Sequence, residues 1–330
     1  MLIYVGSYPP GVGVSVYTGD DPSTLWPAPE PAAVPSASWL QPHPRLPVTY
    51  AVGELTEGQV HALVAEPGGM LGLLSTQPTG GADPCHLAVS DDCRYLLCAN
   101  YGSGSVAAFP LGADGRIGPR SVLVRHTGDG PVADRQEGPH AHQVVVTGSE
   151  VVAVDLGTDE LYGYAVDGLR PLWTAKAPAG AGPRHLVVHP SGLRFVADEL
   201  GSTVSTFRPV PSGGLSLVDN CPATLVEPSG ANYPAEIAVA PDGRHVYVSN
   251  RGNDTIVTFA FDGTRLIPVD EVTTGGHWPR HFTIVGDYLL VANERSDAVT
   301  MLRIDPDTGV PAPTRVRVEV PRPACVLAWD

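Results

Sequence analysis

The chain has 330 residues, of which 37 are Gly and 34 Pro, and that density excludes a mostly helical bundle because both residues destabilise helix interiors. A hydrophobic fraction of 43 % supports a large core and excludes disorder. The formal net charge is −15, with no basic stretch anywhere, which argues against nucleic-acid or anionic-membrane partners.

In chain order, the first element is LIYVGSYPPGVGVSVY, Leu2 to Tyr17, which reads as part of a unit lacking its opening strand. The Pro-rich stretch Trp26 to Ser36 reads as a rigid excursion between units, not an interdomain linker. Ser38 to Leu63 is a loose copy of a plan seen clearly in PCHLAVSDDCRYLLCANYGSGSVAAF, Pro84 to Phe109. A Pro or small residue leads into a short apolar strand, a turn follows, and a second strand ends in Asn or Asp. A third strand ends in an aromatic residue. His140 to Tyr164, Pro183 to Phe207, Pro234 to Phe259 and Pro279 to Leu302 repeat it. The C-terminal PACVLAW, Pro323 to Trp329, supplies the opening strand missing from the N-terminal unit.

The residues closing each second strand are Gly6, Gly53, Asn100, Asp155, Asp198, Asn250 and Asn293, spaced by 43 to 55 residues. Alternating apolar strands cannot bury both faces of one small sheet, but units arranged radially can pack face to face. The expected fold is therefore all-β: a seven-bladed β-propeller closed by pairing of the N- and C-terminal strands. Nothing marks a domain boundary, so a single propeller over residues 1–330 is expected. The WD40 pattern of Gly-His and Trp-Asp is absent.

Five cysteines, without a CxxC pair, read as buried free thiols, although Cys93 and Cys98 could approach one another on a strand. The opening MLIYVGSY has no charged-then-apolar secretory pattern, and no apolar run approaches the ~18 residues of a membrane span. A reducing, cytoplasmic compartment is the expectation.

Ligand sites of propellers sit at the mouth of the central channel, where equivalent ends of innermost strands converge. Residues just before each first strand include His86, His142, Arg184 with His185, Glu236, and Arg280 with His281. Residues just after each second strand include Glu54, Tyr101, Glu199, Arg251 and Glu294. Recurrence of cations, imidazoles and carboxylates at matched points of a repeat is a functional signal. His43 and His189 lie in turns and are expected to be exposed. His140 and His142 form an HxH pair, but no further ligand set accompanies it, so no metal or other cofactor is expected.

PCHLAVSDDCRYLLCANYGSGSVAAFPL, GPHAHQVVV, VDLGTDELYGY, GPRHLVVHPSG and SNRGNDTI together resemble the lactonase-type seven-bladed propellers. That family holds the propeller form of 6-phosphogluconolactonase and the fungal muconate-lactonizing enzymes. The resemblance implies a lactone hydrolase of sugar metabolism acting on an anionic or sugar lactone, as a monomer or homodimer. It also implies catalytic or anion-binding roles for His142, Arg184, Glu199 and Arg251. His86, Tyr101, His185, Glu236, Arg280, His281, Glu54 and Glu294 are then expected to bind substrate. The Arg184 to Glu199 segment is one residue shorter than in the family, so Asp198 competes with Glu199.

Hydrolysis needs a base for water and positive charge at the developing oxyanion. His142 or Glu199 could be the base, and Arg184 and Arg251 could supply the charge. A cyclase or isomerase acting on another small carboxylate would use the same groups, and a non-catalytic ligand-binding propeller is the third alternative. The excursions Val122 to Gly138, with Arg125, His126 and Arg135, and Pro209 to Asn232 are candidate roofs for the cavity.

Overall fold

The computed structural model describes the chain except residues 12, 22–23, 28–30, 67–68, 229 and 330. The described residues form seven four-stranded antiparallel sheets, each a meander of consecutive strands. Blades 1 to 6 begin with the innermost strands Leu40–Pro42, Pro84–Val89, Ala141–Thr147, Pro183–Val188, Tyr233–Val239 and Pro279–Val285. Blade 7 is assembled from both ends of the chain. Its innermost strand, Pro323–Trp329, pairs with Leu2–Ser7 from Leu2 opposite Trp329 to Ser7 opposite Pro323. The ring is closed as the split repeat predicts.

One apolar cluster fills each junction between adjacent blades. Between blades 1 and 2, Tyr50, Val52 and Val60 meet Leu87, Leu96, Cys98 and Phe109. Between blades 6 and 7, Leu290, Ala292 and Met301 meet Ile3, Val5 and Val326. Period-two alternation puts one face of each second strand into one junction and its other face into the next. Sheets with both faces covered give the near-continuous burial of strands such as Val48–Gly53 and Arg194–Asp198. The aromatic residues ending the third strands, Phe109, Phe207 and Phe259, are wholly buried.

The residues closing the second strands are structural. Asn100 donates to Ser105 Oγ at 3.1 Å and Asn293 to Thr300 Oγ1 at 2.8 Å. Asp155 Oδ1 accepts the backbone N–H groups of His140, Gly157 and Thr158. In blade 7 the register puts Ser7 at this place instead of Gly6, and at Gly6 a Cβ would lie 2.1 Å from the carbonyl oxygen of Ala37.

Several expectations change. Each blade carries a fourth, outer strand that the three-strand repeat omits. Val122–Arg125 is the edge of blade 2 and Leu215–Pro222 the edge of blade 4, so these parts of the two excursions belong to blades, while farther along the first one Arg135 reaches Glu199 at the channel mouth. Trp26–Pro27 is the edge strand of blade 7, with Ala32 bridged to Val14, so this stretch belongs to a blade rather than lying between two. Residues 28–30 of it lie outside the described residues. His43 and His189 are in turns but buried. His43 Nδ1 accepts the N–H groups of Arg45 and Leu46. His189 contacts Ser191 Oγ and the Gly243 carbonyl and packs on Phe261. All five cysteines are free.

Candidate active site

Six of the seven innermost strands, all but that of blade 1, share a register irregularity near their start. In blade 2 the pairing passes from Pro84 opposite Asn100 to His86 opposite Ala99, leaving Cys85 over. His142, Arg184, Arg280 and Ala324 are left over in the same way in blades 3, 4, 6 and 7. Blade 5 skips Ala235 and Glu236 together. A β-bulge inserts a residue and re-aims side chains, so two consecutive residues can face one side. Two rings of side chains therefore line the channel. Aligned by register, the upper ring is Ser38, Cys85, His142, Arg184, Ala235, Arg280 and Ala324. The lower ring is Trp39, His86, Gln143, His185, Glu236, His281 and Cys325. The residues following the second strands, including Glu54, Tyr101, Glu199, Arg251 and Glu294, form a third ring at the mouth.

Glu199 is the hub. Its Oε1 accepts from Arg135 Nη2 at 2.6 Å, and its Oε2 from Arg251 Nη2 at 2.5 Å. Arg184 Nε lies 3.2 Å from the same Oε2 without completing a hydrogen bond, while its Nη1 donates to the Ala235 carbonyl at 2.6 Å. Burial opposes the charge on Glu199, but the guanidiniums of Arg251, Arg184 and Arg135 outweigh it, holding the carboxyl well below its usual range. Burial, with the charges of Arg251 and Arg280, pushes Arg184 down to about 9, so it remains a cation at neutral pH.

Asp198 has a different place. Its Oδ2 accepts from Thr203 Oγ1, Ser205 Oγ and Asn220 Nδ2 inside blade 4. It is the strand-closing residue of its blade, and burial pushes it up to about 7. Glu199, one residue on, is the one that meets the arginines.

The lower ring forms a floor. The Trp39 ring lies 4.0 Å from His86, and edge-on at 5.5 Å to His185 and 5.1 Å to His281. Glu236 Oε2 lies 3.0 Å from His185 Nδ1 and 3.5 Å from His281 Nε2. His281 Nδ1 accepts the Val326 N–H, so that ring is neutral and carries its proton on Nε2. Burial pushes Glu236 up to about 8 and His281 down to about 3. A protonated Glu236 donates to His185 Nδ1, which places the proton of that ring on Nε2. Gln143 Oε1 accepts the Leu186 N–H of the next blade at 2.6 Å.

His142 packs edge-on against His185 at 5.1 Å and Tyr101 at 5.5 Å, and its Nδ1 is buried without a hydrogen-bond partner. Burial and the charge of Arg184 hold it well below the usual histidine value, so it is neutral. Tyr101 stacks on His140 at 4.5 Å and its hydroxyl lies 3.4 Å from Arg135 Nη2. At the other side of the mouth, the Tyr8 hydroxyl donates to Glu54 Oε2 at 2.8 Å, and Arg322 Nη2 donates to Glu294 Oε1 at 2.7 Å.

All twelve sequence candidates thus fall in the three rings. Of the three extra cations, Arg135 joins the cluster. His126 instead sits buried against Asp155 Oδ2 at 2.6 Å beneath Tyr162, and Arg125 lies beside it on the edge strand. The repeat-based reading misses Trp39, Tyr8 and Arg322. Trp39 was findable, because it holds in blade 1 the place of His86 in blade 2.

These features define a seven-bladed propeller whose channel mouth concentrates guanidinium groups, neutral imidazoles and ion-paired carboxylates. The chain matches the lactonase, 7-bladed beta-propeller family over residues 2–328, and it belongs to that family. It is 33 % identical to the 6-phosphogluconolactonase of Bacillus subtilis, over 98 % of this chain and 97 % of that protein. It is 29 % identical to the 6-phosphogluconolactonase of Formosa agariphila, covering 93 % of each. The solved periplasmic gluconolactonase PpgL of Pseudomonas aeruginosa superposes with a TM-score of 0.92 at 28 % identity, over 99 % of both chains.

Proposed function

We propose that this protein hydrolyses a sugar lactone, with 6-phosphogluconolactone as its substrate. The observation that carries the reading is the gathering of Arg135, Arg184 and Arg251 around Glu199 beside neutral His142. Two of its relatives bear the name of that activity.

Water attacks the lactone carbonyl carbon, and the carbonyl oxygen becomes an oxyanion. Arg184 and Arg251 have fixed guanidinium forks and meet that charge in a site largely shielded from water. His142 takes the proton of the attacking water. It is neutral and its Nε2 makes no hydrogen bond among the described residues, whereas the lone pairs of Glu199 are already occupied by three cations. Collapse of the tetrahedral intermediate breaks the ring C–O bond, and the imidazolium returns the proton to the departing alkoxide. Glu199 aligns the arginines.

The test is acid release from 6-phosphogluconolactone at pH 7, followed against the spontaneous rate. Acceleration by the wild-type protein, cut about 100-fold or more by His142→Gln, is expected, the usual loss when a general base is removed. A rate equal to the spontaneous one overturns the proposal.

A further inference from the structure

We propose that Arg280, with Arg322 and the ring of Tyr8, forms a separate anion subsite that takes the phosphate monoester of the substrate. This inference rests on the lactonase reading and adds to it a division of labour within the mouth. The Arg135, Arg184 and Arg251 set faces the reacting ester, and Arg280 faces the tail.

Arg280 differs from the other cations of the mouth. Arg135, Arg184 and Arg251 all reach Glu199, and Arg322 reaches Glu294. Arg280 makes no hydrogen bond or ion pair among the described residues, and its guanidinium carbon lies 5.1 Å from the centre of the Tyr8 ring. It occupies in blade 6 the bulge position that His142 and Arg184 occupy in blades 3 and 4. Arg280 is only partly buried and none of its nitrogens is sealed from solvent, so its fork is open to an incoming anion. Burial opposes its charge, and the carboxylates of Glu54, Glu294 and Glu199 outweigh burial, so it stays protonated.

The surroundings are built. Arg322 lies 5.3 Å from the same Tyr8 ring, so two guanidiniums converge on one aromatic platform. Its backbone has φ of +41°, the left-handed conformation that Ser36, Asp83 and Trp278 also hold ahead of their innermost strands, so the blade design itself fixes where this arginine sits. That conformation is secured by its N–H to Asp297 Oδ1 at 2.8 Å, by the Tyr8 N–H to its carbonyl at 3.0 Å, and by Nη1 to the Pro9 carbonyl at 2.8 Å. The carboxylates nearby are engaged, Glu54 by the Tyr8 hydroxyl and Glu294 by Arg322.

The charge of the mouth fits a dianion. Five guanidiniums (Arg135, Arg184, Arg251, Arg280, Arg322) face three ionised carboxylates (Glu54, Glu199, Glu294), because Glu236 is pushed up to about 8 and is protonated at neutral pH. Two positive charges remain. A phosphate monoester carries about −1.5 to −2 at neutral pH and matches the planar fork of arginine, whereas an uncharged sugar lactone leaves the surplus unmet.

The test pairs binding with kinetics. Inorganic phosphate is titrated calorimetrically into wild-type protein, Arg280→Gln and Arg280→Lys, with acetate as the monoanion control. Phosphate binding by the wild type, weakened at least tenfold in Arg280→Gln and less in Arg280→Lys, is expected. In parallel, the ratio of kcat/KM for 6-phosphogluconolactone to that for glucono-δ-lactone should fall at least tenfold in Arg280→Gln, chiefly through KM. Absence of phosphate binding by the wild type, equal binding by all three proteins, or an unchanged ratio overturns the subsite. Wild-type protein that binds phosphate through Arg280 but accelerates neither lactone removes the lactonase reading and leaves the subsite standing. Arg280→Lys keeps the charge and supplies a folded comparison should Arg280→Gln lose its thermal transition.

Discussion

Replacing Glu199 by Gln keeps the shape of the hub and removes its charge. The carboxylate is 5 % exposed, and Arg184 and Arg251 beside it are 3 % and 6 % exposed, so the substitution leaves guanidiniums close together with little water to screen them. Breaking a buried ion pair from one side costs about 3–5 kcal/mol. At about 2.1 cal/mol/K of unfolding entropy per residue, a chain of this length has about 0.7 kcal/mol/K, so Tm should drop by about 4–7 °C. The folded carboxyl is held below its unfolded value of about 4.3, so its stabilisation is complete above that pH and is lost only as pH falls through the folded value. Scanning calorimetry of both proteins should therefore show a constant gap from pH 8 to pH 5 that closes only in strong acid. A Tm within about 1 °C of wild type at pH 7, or a gap already closed by pH 5, would refute the picture of an electrostatically coupled mouth.

Three further outcomes follow from the floor and the closure. Glu236 is raised on folding to about 8 from about 4.3, so the native state holds the extra proton and wild-type stability declines as pH rises across that window. Glu236→Gln lacks the ionisable group, and the difference between its Tm and that of the wild type should grow in its favour from pH 5 to pH 8. Trp39→Ala removes the ring that touches three histidines, and urea unfolding should report a loss of about 3 kcal/mol, the lower end for deleting a large aromatic, because Trp39 is half-buried. Deleting Pro323–Trp329 strips the innermost strand from blade 7 and uncovers Ile3 and Val5, so a cooperative calorimetric transition should disappear. A truncated protein that elutes as a single species and melts cooperatively would show that closure by the chain ends is dispensable.

The inner strands were legible because burial on both faces forces a near-continuous apolar run, as in Leu96–Ala99 and Val246–Val248. The outer strands escaped notice because they are half solvent-exposed and their sequences are free to drift. Pro171–Lys176 and Leu266–Thr273 show mostly exposed positions, with no alternation to read. Arg322 and Tyr8 hold in blade 7 the places of Asp83 and Tyr101 in blade 2, but taking Gly6 instead of Ser7 as the closing residue of the split unit hid that match, and only the pairing of the chain ends brings the two together.

The choice between Asp198 and Glu199 shows how far repeat position carries chemical meaning. Two adjacent carboxylates invite alignment by similarity, which left them in competition. Register separates them: Asp198 pairs with Thr203 and Pro183, as Asn100 pairs with Ser105 and Pro84. A residue at that place spends its side chain on its own blade, and burial among hydroxyl donors suffices to keep it there. The next residue leaves the ladder and is free to reach across the channel. The bulges work the same way one strand earlier, turning His142, Arg184 and Arg280 toward the axis while the following residue still faces it. Channel chemistry in this fold is therefore written at three positions per blade, two at the start of the first strand and one after the second. Substitutions there should alter the ligand, and substitutions at the strand-closing position between them should alter stability.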